Sequence, residues 1–204
     1  MRKINNLNEE IARWAFEILF RNNKTWKIAF TNPTAGPWKT IKALAKETEK
    51  EGEVYRFNLE EERPDIIMYN DDLETVIIIE AKDSLNKLIK NSQAEKSAAV
   101  VVELGSILQS KRDNYYWKGR EHYRIILGLL WGCTDKREKE NTRNYLFDYY
   151  HKLVEREKVV FSDIIIGVET LYKDENLQCK SYFKSYNSQM ITFGDQLIKS
   201  LIEL

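Results

Sequence analysis

Residues 62–84 read ERPDIIMYNDDLETVIIIEAKDS. Two apolar runs, within 65–70 and 74–81, flank Asn70-Asp71-Asp72, a group with turn chemistry. The pattern predicts a β-hairpin. Side chains alternate between faces along a strand, so Glu80 and Lys82 point the same way. In an antiparallel hairpin the start of one strand lies beside the end of the next. A turn centred near Asn70–Leu73 places Asp65 opposite Ile78 or Glu80, on the Glu80/Lys82 face. A slip of one residue would turn Asp65 to the other face. That face begins with Val76 and Ile78 and becomes ionic only at its end, as strand ends bordering a ligand cleft do.

Working outward, residues 8–21 (NEEIARWAFEILFR) repeat apolar side chains at helical spacing behind a capping Asn8. Residues 25–31 predict a short strand, 32–37 a proline-containing loop, 38–50 a helix and 53–58 an alternating strand. Beyond the hairpin, 84–112 is mostly helical, 123–131 is a continuous apolar strand, and 136–157 is a charged helix. A strand within 159–171 and a helix over 193–203 follow. Strands without alternation at 76–79 and 125–130 are covered on both faces. The order α-β-α-β-β-β-α-β-α-β-α predicts an α/β fold with a central sheet flanked by helices, read as one domain over 1–204.

Composition narrows the chemistry. The chain has 204 residues, 43% hydrophobic and 31% charged, with a formal net charge of zero. The charge balance does not announce nucleic-acid binding, although local basic stripes matter more than totals. Two cysteines, Cys133 and Cys179, and two histidines, His122 and His151, supply neither a zinc site nor a disulfide framework. No apolar run reaches membrane-spanning length, and the N-terminus lacks the apolar core of a signal peptide. The expectation is a cytoplasmic protein with no membrane partner. No GxxxxGK[ST] phosphate loop occurs.

Two clustered carboxylates repel each other, and a hard divalent cation relieves the repulsion. Asp65, Glu80 and the carbonyl of Ala81 form an oxygen ligand set suited to Mg²⁺, with Mn²⁺ able to substitute. Lys82 could orient a water or stabilise charge on a phosphate. Pro64-Asp65 is the one Pro-Asp in the chain, and Glu80-Ala81-Lys82 its one [DE]xK triplet.

These residues resemble the PD-(D/E)xK nuclease superfamily, most nearly its type II restriction endonucleases. The resemblance covers about 38–131, where the α-β-β-β-α-β order is similar to the family core. It implies a restriction-endonuclease-like mixed sheet, with Asp65 and Glu80 as Mg²⁺ ligands and Lys82 assisting hydrolysis of a phosphodiester. It also implies double-stranded DNA as substrate and a homodimer. Glu47 and Glu10 are candidates for the auxiliary acid of many family members, though each also reads as a solvent-facing charge. Gln93 matches a glutamine of some exonuclease branches, but Ser97 stands where their tyrosine would be.

The stretch 111–124 interleaves basic and aromatic side chains. Lys111, Arg112, Tyr116, Trp117, Lys118 and Arg120 are candidate DNA contacts, or a loop whose aromatics join the core. Thr34 and Lys39 belong to a second candidate recognition loop. The run 136–140 reads as a solvated helix face. A structure-specific nuclease of the junction-resolvase or repair kind and a non-catalytic nucleic-acid-binding module are the alternatives.

Overall fold

The run Arg124–Cys133 (RIILGLLWGC) has no polar side chain between Ile125 and Trp131. Such a strand must be covered on both faces, and it lies inside a six-stranded sheet with a neighbour on each edge. The computed structural model describes residues 20, 23–31, 64–89, 98, 119–133, 136–156, 163–173 and 176–202. The strands are β1 (Trp26–Thr31), β2 (Ile66–Asn70), β3 (Thr75–Lys82), β4 (Arg124–Cys133), β5 (Ile164–Lys173) and β6 (Asn176–Ser185). They lie side by side in chain order. β3, β4 and β5 are parallel; β1, β2 and β6 are antiparallel to their neighbours.

Helices α1 (Leu85–Ile89) and α2 (Glu140–Arg156) belong to the two parallel crossovers. Crossovers of one hand that step in one direction across a sheet fall on the same face. Accordingly Leu85, Leu88, Leu146, Phe147 and Tyr150 share a core with Val76, Ile78, Leu127 and Leu129. Helix α3 (Ile191–Ile202) covers the opposite face, where Leu197 and Leu201 join Trp26, Ile77, Ile79 and Ile126. β3 therefore divides its side chains between two cores. Fully burying one such isoleucine is worth about 1.5–3 kcal/mol, so a change of register would be costly.

The hairpin pairs Asn70 with Thr75 and Ile66 with Ile79, which closes a four-residue loop at Asp71–Glu74. Asn70 Oδ1 accepts from the Leu73 amide at 2.9 Å, and Glu74 leaves the loop at φ 46°. Asp71 accepts from Lys27 Nζ (2.7 Å), Arg120 Nε (2.8 Å) and the Tyr123 hydroxyl (2.8 Å). Hydrogen bonding to Arg120, with Lys27 and Tyr123 adding to it, holds the Asp71 carboxyl well below the usual range despite partial burial.

The sheet flanked by helices is the α/β architecture that the sequence predicts, with three differences. Helix α2 starts at Glu140 rather than 136, because Arg137 and Glu138 are drawn to Glu169 on β5. β6 was not anticipated. The strand that pairs with β2 on the side away from β3 is β1, which lies outside the 38–131 span that the resemblance covers. Residues 53–58 and the helix expected at 38–50 lie outside the described residues; of the helix at 8–21 only Phe20 is described, and it is helical. Among the described residues no helix is long and apolar enough to cross a membrane.

Candidate functional site at the end of the hairpin

β2 begins at Ile66, while β3 runs on to Lys82. The paired residues sum to an odd number throughout, and the register ends with Ile66 opposite Ile79. Just before it, the Asp65 amide also donates to the Ile79 carbonyl, at 3.1 Å. Beyond that point the Ala81 peptide group has passed the end of β2. Side chains take over both of its polar atoms: Asp65 Oδ2 accepts from the Ala81 amide at 2.8 Å, and the Lys82 ammonium donates to the Ala81 carbonyl at 2.9 Å. The same ammonium donates to Glu80 Oε1. Asp65, Glu80, Ala81 and Lys82 are thus brought together, as the hairpin argument requires.

The cluster is nearly enclosed. The side chains of Lys82 and Glu80 are 13% and 11% exposed, low for an ion pair. An ion pair so far from water needs good geometry to offset its desolvation. Helices α1 and α2 wall it. The Tyr150 hydroxyl of α2 donates to the Leu88 carbonyl of α1 at 3.1 Å. Burial first, and then the negative charge of Glu80, push the Tyr150 phenol far up, so it stays protonated.

The donor set fits a hard cation. It consists of two carboxylates and one main-chain carbonyl, all oxygen. One cation, the Lys82 ammonium, already bridges Glu80 Oε1 and the Ala81 carbonyl. Among the described residues no three His, Cys, Asp or Glu side chains gather at metal-binding spacing, so any ion here would rely on the carbonyl as its third protein ligand.

Three residues escaped the sequence reading. Asp83, next to Lys82, pairs with Lys87 through one oxygen, and its Oδ1 is buried without a hydrogen-bond partner among the described residues. Tyr150 is the wall residue described above. The third is Glu169, whose side chain is 0% exposed. In the sheet, Lys82 pairs with Trp131, Trp131 with Glu169, and Glu169 with Lys180. Glu169 Oε1 accepts from Trp131 Nε1 (3.2 Å) and the Glu138 amide (2.7 Å); Oε2 accepts from Arg137 Nη1 and the Tyr182 hydroxyl (both 3.0 Å). Burial alone would raise its carboxyl, but these four donors outweigh burial and hold it below the ordinary range. It is two strands from Lys82, about 10 Å at sheet spacing, and separate from the acid cluster.

The other predicted residues are not brought to this cluster. Arg120 lies beside the Asp71 loop, at the far end of β3. Seven residue steps at about 3.3 Å put it roughly 23 Å from the Lys82 end. Its guanidinium holds Asp71 and covers the Tyr69 ring at 4.5 Å. Glu10, Thr34, Lys39, Glu47, Lys111, Arg112, Tyr116, Trp117 and Lys118 lie outside the described residues. His122 meets Glu74 at the surface and His151 stacks on Tyr186, as ordinary structural histidines do. No family model, curated protein or solved structure matches the chain.

Proposed function

We propose that this protein is a Mg²⁺-dependent endonuclease that hydrolyses phosphodiester bonds in double-stranded DNA, with Mn²⁺ able to substitute. The finer reading is a sequence-specific restriction enzyme of the PD-(D/E)xK kind acting as a homodimer. One observation carries the proposal: the Asp65 carboxylate on the Ala81 amide, with the Ala81 carbonyl and Glu80 both held by the Lys82 ammonium at the same strand end.

Asp65, Glu80 and the Ala81 carbonyl are the residues that would hold the ion. A divalent ion there supplies Lewis acidity, lowering the pKa of a bound water and stabilising charge on a phosphate oxygen. The chain's own groups do the rest. Asp65 anchors the main chain at Ala81 through its amide. Lys82 is a fixed positive charge whose N–H groups can turn from Glu80 to a phosphoryl oxygen or to the attacking water. Tyr150, whose phenol feels the charge of Glu80, and its partner Leu88 are both buried beside it in the core on that face.

A second reading has its own observation. Lys82 and Glu80 already satisfy each other, as they would in a non-catalytic nucleic-acid-binding module where the pair only closes a sheet end. Plasmid cleavage separates the two. The nuclease reading expects cutting with Mg²⁺, none with chelator, and near-complete loss in Asp65→Ala and Lys82→Ala with DNA binding retained. Unchanged cleavage in both variants would overturn the site assignment. Discrete fragments would indicate a restriction enzyme, and preference for branched DNA a structure-specific nuclease.

A further inference from the structure

The row that starts at Lys82 runs through Trp131 and Glu169 to Lys180 on the edge strand β6. Tyr182 follows on the same face. Its ring lies 6.3 Å from that of Trp131, nearly parallel at 14°. Arg143 of α2 sits over it at 4.1 Å and Lys180 Nζ at 5.3 Å. Arg143 also donates to the Glu138 carbonyl, which fixes its guanidinium without neutralising it. Nearby, Glu169 compensates Arg137, and Asp148 compensates Lys184. Among the described residues neither Arg143 nor Lys180 has a carboxylate at ion-pair distance.

Two uncompensated cations therefore stand on a rigid aromatic base, in line with the candidate site. The Tyr182 ring is already engaged by Trp131, Arg143 and Lys180, which leaves less of it for a base to stack on. Single-strand binders rely on open aromatic faces, whereas duplex binders rely on cations placed against phosphates. Three strand spacings separate Lys82 from Lys180, about 14 Å. A row laid along the duplex axis would cover about four base-pair steps at about 3.4 Å of rise each.

We propose that Arg143 and Lys180 form a phosphate-backbone contact for double-stranded DNA, holding the backbone about 14 Å from the bond at the Asp65–Glu80–Lys82 site. This inference rests on the nuclease reading for its choice of partner, but it is tested without cleavage.

The assay is binding of a labelled 20-base-pair duplex in EDTA, followed by anisotropy across a salt series. Each lost phosphate contact lowers the slope of log affinity against log salt by about 0.9, which is about eightfold in affinity at 0.1 M salt. Lys180→Ala and Arg143→Gln should each show that loss, and Lys180→Arg should restore it. Lys199→Ala, exposed on α3 across the sheet, should not change the slope. Thermal melting of each variant separates misfolding from a lost contact, with Lys180→Arg as the folded reference. Slopes unchanged in both Lys180→Ala and Arg143→Gln would overturn the surface while leaving the nuclease reading standing. Lys180-dependent binding without cleavage by any divalent cation would support the surface and overturn the nuclease reading. Binding of an acidic peptide but not the duplex would overturn the surface.

Discussion

Glu169→Gln is the sharpest stability test of the sheet end. The wild-type carboxylate is fully enclosed and accepts four hydrogen bonds, one of them from the Arg137 guanidinium. A glutamine keeps the volume but replaces one oxygen with a donor. That donor must then face either Trp131 Nε1 and the Glu138 amide or Arg137 and the Tyr182 hydroxyl. The guanidinium also loses its counter-charge. Breaking a buried ionic pair from one side costs about 3–5 kcal/mol. For a chain of this size that corresponds to a fall of roughly 6–20 °C in Tm. The pH dependence has a definite sign. The folded Glu169 titrates below its ordinary value of 4.5. Its contribution is therefore complete above that value and is lost as pH falls through the lower folded value. Melting curves of wild type and Glu169→Gln should differ most near neutral pH and converge on acidification below 4.5. A Tm within about 2 °C of wild type at pH 7, or a gap that widens in acid, would refute the account of this carboxylate.

Gly167→Ala should cost about 1–3 kcal/mol by overpacking, because a Cβ there would lie 2.7 Å from Phe147 Cζ and from Trp131 Cη2. An unchanged denaturation midpoint would contradict that close approach. Tyr150→Phe should cost about 1 kcal/mol in urea unfolding, since it leaves the buried Leu88 carbonyl without its donor. It should also leave the alkaline side of any cleavage profile unmoved, because the wild-type phenol does not ionise there.

The hairpin was legible because its information is local. Alternation, turn residues and strand lengths fix the parity of pairing, and parity alone decides on which face of β3 the start of β2 lies. β6 was legible in principle, since Leu177, Cys179 and Phe183 alternate with Gln178, Lys180 and Tyr182. The edge position left one side of that strand polar, so the apolar signal was diluted by lysines and serines. The start of α2 was misjudged because helical pattern continues through 136–139. What stops the helix is a carboxylate some thirty residues later in the chain, and no window around 136 contains it. Glu169 was undervalued for the same reason: its four donors come from Trp131, Arg137, Glu138 and Tyr182, which only the fold assembles. Arg120 was read as a candidate DNA contact because its partner, Asp71, sits forty-nine positions away.

The two ends of the described chain are tied to each other. Trp26 Nε1 donates to Ser200 Oγ at 3.0 Å, and Asn23 Nδ2 donates to the Ser200 carbonyl. Trp26 is also almost wholly buried, in the core that α3 completes. The indole of the first strand therefore waits for the last helix, 174 residues later. At synthesis rates of about 5–20 residues per second, that wait lasts roughly 9–35 s. Throughout it, the core that α3 completes is an open apolar surface on a nascent chain. That face of the sheet is covered only when α3 docks, and the interval before it is when a chaperone would matter most.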